Sequence, residues 1–433
     1  MPIESRHVAI IAPPTPGHLN PLQVLGGELV RVGHRVTIVH LGEAADLVGD
    51  PRIGFAAIQG LGLTSLSDYH ARLADPTGPV GLTRMIRATA GMTGLLLDQG
   101  PAVLTRIGAQ AVIADAAEAA GPLIAARLGL PLVGTITGLP LLAEPDVPPP
   151  FLGWRYRADG LGRFRNRGGY QVSDLLMRPI TRVLATRRQA WRVTEAEPLV
   201  QVAQCPAGLD YPRRRLPAAF RYGAPWRGAP AAIDLTRDGR PLIFCSLGTL
   251  QGGRGDLLAT MAAACAAIGA RAVIGHGGGL SAAEAAALPG DPLVRAFWPQ
   301  EAVLRHCVAA VLHGGFNTVL DALAAEVPIV AVPIAFEQPG TAARLARIGA
   351  GRVVPMRALT PARLAQALAA VIGEPGYRAS ARRLAEEMRA AGGAPVAAAA
   401  ISAALRAVAG AAATRASAGS DDVRGDRRRS GSR

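Results

Sequence analysis

Short apolar runs alternate with amphipathic segments along most of the chain. In the first half, the positions between the runs show helical periodicity at 22–32 and 122–128. The runs themselves have the length of β-strands and lie at 7–12, 35–40, 111–115 and 131–136. Strands that alternate with helices form parallel sheets covered by helices. This pattern predicts one doubly wound α/β domain.

The same alternation returns in the second half of the chain. Strand-length apolar runs lie at 241–245, 272–275, 294–297, 309–312 and 329–332. Helical patterns between and after them lie at 257–268, 317–325, 340–348, 361–371, 377–391 and 397–408. We therefore predict a second α/β domain, completed by three closing helices.

Two interruptions of this alternation set the predicted domain boundaries. Positions 139–150 are rich in proline and open a long helical insertion, and positions 213–240 place prolines among basic and small residues. We predict a first domain at 1–215, a linker at 216–240 and a second domain at 241–410. The remaining 411–433 has too little apolar bulk to fold and is predicted to be a disordered basic tail.

The composition of the chain bears on where in the cell the protein is expected. No run of 18 or more apolar residues lacks a charge or a breaker, and the N-terminus lacks the features of a signal peptide, so we predict no transmembrane helix. The four cysteines form no CxxC pair, which argues against a zinc knuckle and a disulfide scaffold. A reducing cytoplasmic location is expected.

The formal net charge of +14 is concentrated in two places, the tail and the segment that begins at Trp154. In that segment five arginines interleave with Trp154, Tyr156 and Phe164. Two interpretations stay open: a solvated arginine-rich surface, or peripheral contact with anionic lipid at the inner face of the cell membrane. No nucleic-acid-binding motif accompanies the charge, so nucleic acid is not an expected partner.

Candidate chemistry lies where the predicted strands of the second half end. The sequence AAVLHGGFNTVL at 309–320 describes a buried strand, a glycine turn and the start of a helix. Ligands of open α/β sheets bind at this edge, and a helix N-terminus favours phosphate. Gly315 allows close approach of the backbone, and Asn317 and Thr318 can cap the helix or donate to phosphate oxygens. An ordinary glycine turn with a helix cap remains the alternative.

Two neighbouring strand ends carry further candidates. Trp298 and Gln300 follow the run at 294–297, where an indole can stack on a nucleobase and an amide can reach the polar edges of a nucleoside. Glu337 and Gln338 follow the run at 329–332, where a carboxylate beside an amide can bind vicinal sugar hydroxyls. Simple packing of the Trp298 ring and a solvated Glu337 are the alternatives.

The motifs FWPQ, HGGFNTVLDAL and PIAFEQ, in this order and spacing, resemble the donor signature of the inverting UDP-glycosyltransferase family. The resemblance extends to about Val408 and implies the GT-B fold, in which two Rossmann-like doubly wound domains face each other across a cleft. It implies that Trp298 stacks on uracil, that His313 contacts the pyrophosphate, and that Asn317 and Thr318 bind phosphate oxygens.

The same resemblance implies that Asp321 holds the ribose hydroxyls and that Glu337 and Gln338 bind the sugar. Asp321 stands where the family more often has Glu, and Glu337 where it more often has Asp, so the reach of each carboxylate differs by one methylene. The SLGT stretch implies a place near the diphosphate for Ser246 and Thr249. Gln300, Gly17 and Gly315 complete the predicted donor site.

The first predicted strand leads into PTPGHLNP, a context in which members of the family carry a catalytic histidine. A hydroxyl group is a poor nucleophile, and a neutral imidazole can remove its proton near pH 7. His18 is therefore predicted to be the general base, on a loop facing the cleft. Asp115, at the end of the strand 111–115, matches the family's partner acid, which would orient the imidazole. A histidine that merely caps the next helix is the alternative.

Three stretches resemble the bacterial zeaxanthin glucosyltransferases in particular: the N-terminal AIIAPPTPGHLNPLQVLGGELVRVGHRVTIV, LPLLAEPDVP at 139–148 and LDYPRRRLPAAF at 209–220. This resemblance implies transfer of glucose from UDP-glucose to the hydroxyl groups of zeaxanthin, giving the β-diglucoside. The donor is a co-substrate, and neither a cofactor nor a metal is expected, because the sequence has no persuasive DxD motif and a helix N-terminus can stabilise the leaving diphosphate.

Other interpretations of the same sequence remain. The acceptor can be another lipophilic alcohol, such as a different hydroxylated carotenoid, a macrolide or a glycolipid. A UDP-sugar epimerase would not need His18 or the FWPQ motif, and a dinucleotide dehydrogenase would need a GxGxxG after the first strand. A protein that binds a UDP-sugar without catalysis is opposed by the presence of both His18 and Asp115.

Overall fold

The structure is a computed structural model that describes residues 5–60, 65–74, 78–229, 231–235 and 238–409. The predicted tail at 411–433 lies outside the described residues. Two parallel sheets, each covered by helices on both faces, make up the described chain, as the alternating pattern predicts.

The first sheet has seven strands in the order β3-β2-β1-β4-β5-β6-β7, all parallel. Its strands are β1 (His7–Ile11), β2 (Arg35–Leu41), β3 (Gly54–Ile58), β4 (Ala111–Asp115), β5 (Leu132–Ile136), β6 (Gln201–Ala203) and β7 (Phe220–Arg221). Its helices are α1 (Pro16–Arg31), α2 (Leu66–Ala74), α3 (Gly78–Arg106), α4 (Ala120–Leu128), α5 (Gly160–Leu176) and α6 (Arg178–Trp191). Every residue of β1, β4 and β5 is buried, as expected for strands covered on both faces.

The second sheet has six parallel strands in the order β10-β9-β8-β11-β12-β13. Its strands are β8 (Leu242–Ser246), β9 (Arg271–Gly275), β10 (Leu293–Arg295), β11 (Cys307–Leu312), β12 (Ile329–Ala331) and β13 (Gly351–Val353). The helices up to the last strand are α7 (Gly248–Gln251), α8 (Gly255–Ala267), α9 (Ala282–Ala286), α10 (Gln300–Leu304), α11 (Phe316–Ala324) and α12 (Gln338–Ile348). The closing helices are α13 (Pro361–Gly373), α14 (Pro375–Ala391) and α15 (Gly393–Ala409).

The segment predicted as a linker, 216–240, begins inside the first domain. Phe220 and Arg221 form β7 and pair with β6 in parallel register. Trp226 is fully buried in the core of the first domain. A two-residue strand among prolines and arginines leaves no periodic pattern, which is why the sequence does not reveal it.

The last closing helix also differs from its predicted place in the second domain. Ala398, Ile401 and Leu405 of α15 are buried in one cluster with Val8 and Ile10 of β1. His34 Nε2 and Ser402 Oγ lie 3.0 Å apart in a buried hydrogen bond. Helical periodicity predicts that an apolar face is buried but not which sheet covers it, so α15 crosses back to the first domain.

Buried ion pairs fasten the two domains on one side of the cleft. Asp210 lies 2.6 Å from Arg213 in the same segment and 2.9 Å from Arg344 of α12, and all three side chains are buried. The guanidinium of Arg344 also lies 4.0 Å from the ring centroid of Tyr211. These contacts explain how Arg344 is buried, because a buried charge needs a paired and hydrogen-bonded partner.

Within the part of the chain that the structure describes, we find no single helix long and apolar enough to cross a membrane. The consecutive helices α14 and α15 meet the length and composition criteria only as a pair, with a bend of 40° between them.

Candidate active site

The candidate residues gather where the strand order of each sheet reverses. In the first sheet the chain leaves β1 toward β2 and later returns to add β4 on the other side of β1. In the second sheet β8 and β11 are related in the same way. Crevices at such positions, outside the carboxyl ends of the strands, are where open α/β sheets bind ligands. His18 and Asp115 lie at the first of these positions, and Ser246 and His313 at the second.

His18 lies in the first turn of α1, not on a loop as predicted, because the helix begins at Pro16. Proline is tolerated at the first helical position, where its missing N–H has no intrahelical partner. Pro21, inside the same helix, likewise donates no backbone hydrogen bond. The carbonyl of Gly17, four residues before Pro21, is therefore left free for another donor.

Three side chains form the candidate base cluster: His18, Asp115 and Thr137. His18 Nδ1 lies 2.7 Å from Thr137 Oγ1 and 3.2 Å from Asp115 Oδ1. Thr137 donates its hydroxyl to Asp115 Oδ2 at 2.8 Å. Backbone N–H groups of Ala117 and Thr137 also donate to the Asp115 carboxylate, at 3.0 and 3.2 Å. The carboxylate is thus fixed in one orientation.

These contacts assign the proton of the neutral His18 ring. Because Thr137 Oγ1 gives its own hydrogen to Asp115, it can only accept from the ring, so Nδ1 carries the proton. The second ring nitrogen, Nε2, makes no hydrogen bond within the described chain and is available as a proton acceptor. This is the tautomer that a general base needs.

Carboxylates around His18 set its basicity. Burial by itself lowers the pKa of His18, but the hydrogen bond to Asp115 and the charges of Asp115, Glu337 and Glu118 raise that pKa above 6.5. Glu118 is buried and accepts hydrogen bonds from Thr93 and from the backbone of Ala120. Its burial raises the pKa of Glu118 to about 7.

On the facing domain, His313 follows β11 and is held between two glycines. A Cβ on Gly248 would lie 2.8 Å from the His313 ring, and one on Gly315 would overlap its Nε2. Nδ1 lies 3.4 Å from the carbonyl of Ser246, which can only accept, so Nδ1 carries the proton and Nε2 is bare. Burial lowers the pKa of His313 to about 4. The predicted contact with a diphosphate would place this bare nitrogen beside an anion, so it requires a proton on Nε2, gained by a change of tautomer or by protonation of the ring.

Asn317, in the first turn of α11, joins the two domains at the cleft. Its Nδ2 donates to the free carbonyl of Gly17 at 2.7 Å. Its Oδ1 accepts from Gln204 Nε2 and from a guanidinium nitrogen of Arg227, both at 3.1 Å. The predicted phosphate contact of the Asn317 side chain stays a prediction, and it would require these bonds to be exchanged.

Asp321, the predicted ribose-binding carboxylate, is paired with an arginine. Arg227 Nε lies 2.6 Å from Asp321 Oδ1, and Arg227 also contacts Gln204 and the backbone of Asn317. Burial raises the pKa of Asp321, and Arg227 offsets part of that shift. Arg227 belongs to the segment predicted as a linker, and no motif singles it out.

The remaining predicted donor residues line the same rim. The Trp298 ring is buried, donates through Nε1 to the carbonyl of Ile274 at 2.9 Å, and has the Arg295 guanidinium 4.2 Å from its centroid. Gln300 begins α10 and is half-buried. Ser246 Oγ accepts from the backbone of Gly248 at 3.2 Å.

Two further donor candidates, both threonines, complete this rim. Thr249 lies exposed in α7, and Thr318 is buried in the first turn of α11.

Glu337 and Gln338 lie at the start of α12, on the side of the cleft nearest to His18. Burial raises the pKa of Glu337, and the charge of His18 lowers it. Gln338 Oε1 accepts from the backbone of Ile334 and Ala335, at 2.9 and 2.8 Å. The carboxamide oxygen of Gln338 therefore holds its own loop, and its NH₂ group has no hydrogen-bond partner among the described residues.

The structure adds Thr137, Glu118 and Arg227 to the residues that the sequence predicts. Thr137 comes directly after β5. The rule that selected Asp115, a polar residue at a strand end beside the switch point, could also have selected Thr137. Glu118 and Arg227 carry no comparable signal.

The two stretches that resemble a particular subgroup contact each other. Arg213, from 209–220, donates to the carbonyls of Leu142 and Pro140, in 139–148, at 2.7 and 3.3 Å. Glu144 accepts from the backbone of Arg214 at 2.7 Å. Farther along the chain, Pro150 packs against Gly340 of α12. The loop that leaves Thr137 therefore crosses the cleft toward the second domain.

Similarity to known proteins agrees with this geometry. Residues 271–405 match the C-terminal domain of the erythromycin biosynthesis protein CIII-like family. A zeaxanthin glucosyltransferase of Pseudescherichia vulneris is 35% identical over 92% of this chain and 98% of that protein. One of Pantoea ananas is 34% identical over 90% and 94%. The solved glycosyltransferase of kitacinnamycin superposes with a TM-score of 0.72 at 21% identity, covering 93% of this chain and 99% of its own.

Two facing α/β domains, with the candidate base cluster on one side of the cleft and a candidate phosphate-binding helix on the other, have the GT-B fold of that solved glycosyltransferase. The chain belongs to the glycosyltransferase family that includes the bacterial zeaxanthin glucosyltransferases. The predicted fold and enzyme class are thereby confirmed. A nucleotide-sugar donor and an acceptor follow from membership of this family.

Proposed function

We propose that the chain transfers glucose from UDP-glucose to the hydroxyl groups of a carotenoid, zeaxanthin, and forms the β-diglucoside with inversion at the anomeric carbon. The observation that carries this proposal is the base cluster of His18, Asp115 and Thr137 lying directly opposite the N-terminus of α11. The bond of 2.7 Å between Gly17 and Asn317 brings these two halves together.

His18 acts as the general base in this proposal. Its bare Nε2 takes the proton of the acceptor hydroxyl while the hydroxyl oxygen attacks C1 of the sugar on the face opposite to the diphosphate. The bond between C1 and the diphosphate oxygen breaks, and UDP leaves with the electron pair. Asp115 stabilises the imidazolium that forms, and Thr137 holds both groups in place.

The charge that develops on UDP is stabilised by the N-terminus of α11, where unpaired backbone N–H groups face the cleft. We propose that the reaction needs no metal ion. Loss of turnover on treatment with EDTA, restored by a divalent cation, would contradict this part of the proposal.

The choice of donor rests on the family resemblance. Trp298 would contact the uracil, Asp321 the ribose and Glu337 with Gln338 the glucose, and each of these residues lies on the rim of the cleft. For the ribose to reach Asp321, Arg227 must share or release the carboxylate that it holds at 2.6 Å. Competition among UDP-glucose, UDP-galactose and dTDP-glucose for a single acceptor identifies the donor, and preference for either alternative contradicts this assignment.

The choice of acceptor rests on the two zeaxanthin glucosyltransferases and on the apolar loop beside the base. Leu139 is buried, Leu142 is half-buried and Leu141 is exposed, so the chain that follows Thr137 offers apolar contacts next to His18. Such a lining suits a lipophilic alcohol. Three interpretations are distinguished by one experiment: transfer to a carotenoid, transfer to another lipophilic alcohol, and donor binding without catalysis.

The purified chain is incubated with UDP-glucose and zeaxanthin in detergent, and released UDP and glucosylated pigment are measured for the wild type and for His18→Ala. We expect mono- and diglucosides from the wild type and a loss of at least about 100-fold in His18→Ala. Equal turnover in both proteins contradicts the role of His18. UDP-glucose binding without turnover favours a binding protein. Turnover only with other lipophilic alcohols shows that the acceptor is not a carotenoid.

The cytoplasmic location expected from the cysteines, with contact at the inner face of the membrane, belongs to the same proposal. Fractionation of cells that express the chain tests it: we expect the protein in the cytoplasmic and salt-washable membrane fractions. Recovery in an extracellular fraction contradicts it.

A further inference from the structure

Helix α5 carries an apolar stripe on its solvent side. Leu161, Phe164, Val172 and Leu175 are exposed to 61%, 73%, 56% and 54%. Their spacing of three, eight and three residues places them on one face of a helix, with Gly168 between them. Large apolar side chains exposed singly are ordinary, but two pairs of them on one face of a helix indicate an interaction surface.

The opposite face of α5 shows that the stripe is not simply a loosely packed core. Asn166 is fully buried and donates to the carbonyl of Pro145 at 3.0 Å. Tyr170 donates to the carbonyl of Val147 at 3.1 Å. Asp159 caps the helix by accepting from the backbone of Gly162 at 2.7 Å. The helix is therefore anchored on one side and presents the apolar row on the other.

The charge around the stripe is predominantly positive. Positions 151–192 hold ten arginines and two aspartates, a net charge of +8 out of +14 for the chain. Arg167, Arg178 and Arg182 are exposed, and within the described chain they form no ion pair. An exposed apolar row flanked by unpaired arginines complements an anionic lipid surface, in which apolar side chains enter the headgroup region and arginines meet phosphates.

The aromatic residues expected at such an interface are, with one exception, used inside the protein. The Trp154 ring lies under the Arg165 guanidinium at 4.8 Å, and the Tyr156 ring stacks on Tyr211 with centroids 5.1 Å apart. Phe164 alone remains in the exposed row. Of the three aromatic residues on which the interpretation of membrane contact is based, only Phe164 is therefore placed to meet a lipid surface, and it lies on the exposed face of α5.

The apolar stripe on α5 is connected to the cleft through the loop on which α5 packs. The anchored face of α5 packs on residues 145–147, which belong to the loop that leaves the base cluster at Thr137. We infer that the stripe docks on an anionic lipid surface and holds the cleft where a membrane-dissolved acceptor can enter it. The docking part stands on the stripe alone, and the delivery of acceptor rests on the proposed function.

The test uses the full chain and vesicles of phosphatidylcholine with roughly 30% phosphatidylglycerol. We expect the wild type to sediment with these vesicles, and to remain in solution with pure phosphatidylcholine or at high salt. The double variant Phe164→Ser with Leu175→Ser should bind at least about tenfold more weakly. Arg167→Gln should weaken binding about fivefold.

The matched control is Val80→Ser with Val396→Ser, which removes two apolar side chains of similar exposure, 71% and 55%, from other helices. We expect it to bind vesicles as the wild type does. Wild-type protein that stays in solution with anionic vesicles overturns the inference, as does equal binding by both double variants. A wild-type dimer that the stripe variant converts to a monomer overturns it as well, because the stripe would then be an interface between copies.

Turnover with acceptor in two forms separates docking from delivery. We expect the stripe variant to match the wild type with zeaxanthin in detergent micelles and to lose at least about tenfold with zeaxanthin in anionic vesicles. Equal loss in both forms overturns the delivery role. Absence of turnover in the wild type in every form contradicts the proposed function, while the sedimentation result still decides the docking.

Discussion

The hydroxyl of Thr137 offers the sharpest test of the base cluster, because it can be removed with little change of shape. Thr137→Val replaces the hydroxyl by a methyl group at a site that is fully buried. The change deletes the acceptor for His18 Nδ1 at 2.7 Å and the donor to Asp115 Oδ2 at 2.8 Å. The ring keeps only the longer bond of 3.2 Å to Asp115.

The expected size of the effect follows from these bonds. A hydrogen bond to a charged group contributes about 1.5–3 kcal/mol, and both the Asp115 carboxylate and the imidazolium of the transition state are charged. Asp115 still accepts two backbone N–H groups, so its position is largely retained. We expect a loss of about 1.5–2 kcal/mol of transition-state stabilisation, which is a fall in kcat of roughly 10- to 30-fold.

Steady-state release of UDP with a saturating acceptor measures kcat and the KM for UDP-glucose separately. The donor does not contact Thr137 in the proposed arrangement, so the KM should change by less than about twofold. Thr137→Ser keeps the hydroxyl and should restore most of kcat. A merely structural role of Thr137 would not give this separation of kcat from KM.

The reasoning is refuted if kcat of Thr137→Val stays within about twofold of the wild type while the variant folds normally. It is refuted equally if Thr137→Ser is as impaired as Thr137→Val, because the hydroxyl would then not be the group that matters. Circular dichroism and a urea melt establish that each variant is folded.

Three other changes probe the rest of the structure. His18 must be neutral to act as a base, and the neighbouring acids raise its pKa, so the acid limb of the kcat/KM profile should lie above pH 6.5. In Asp115→Asn this limb should move to lower pH, and a limb that does not move contradicts the pairing of His18 with Asp115. Gly315→Ala would crowd the His313 ring and should raise the KM for UDP-glucose about tenfold. The control Gly91→Ala, whose new methyl group would have nothing within 4 Å, should leave that KM unchanged. Equal KM values in the two variants argue against a role of the two glycines in holding His313. Ile401→Ala should cost about 2–5 kcal/mol in a urea melt, and an unchanged midpoint would contradict the docking of α15 on the first domain.

The parallel sheets were predictable because their strands are buried on both faces and read as continuous apolar runs. β1, β4 and β8 are examples, each with every residue buried. Elements with weaker patterns were not. β3 has two exposed residues among five, and the 29-residue helix α3 contains Pro101 and several glycines that interrupt its periodicity.

The candidate site divides in a similar way. Residues at strand ends, such as Asp115 and His313, can be placed from the sequence because the chemistry of parallel sheets lies at one edge. Contacts between distant segments cannot. Arg227 reaches Asp321 across 94 positions, and neither residue carries a local signal for the other. Such pairs depend on the relative placement of two domains, which periodicity does not encode.

The two histidines near the switch points follow strands that are not equivalent: His18 lies in the helix after β1, and His313 comes directly after β11. Their surroundings drive their pKa values in opposite directions. His18 is surrounded by Asp115, Glu118 and Glu337, which raise its pKa above 6.5, so it is ready to take a proton. His313 lies between glycines, and burial lowers its pKa to about 4, so it stays neutral.

One site can perform distinct roles when the environments of two titratable groups give them different pKa values. In the proposed mechanism a neutral His313 brings no charge, so the leaving diphosphate would depend first on the backbone N–H groups of α11. In that mechanism the first domain supplies the proton acceptor and the second supplies the helix dipole. The hydrogen bond of 2.7 Å from Asn317 Nδ2 to the Gly17 carbonyl holds these two groups on facing sides of the cleft.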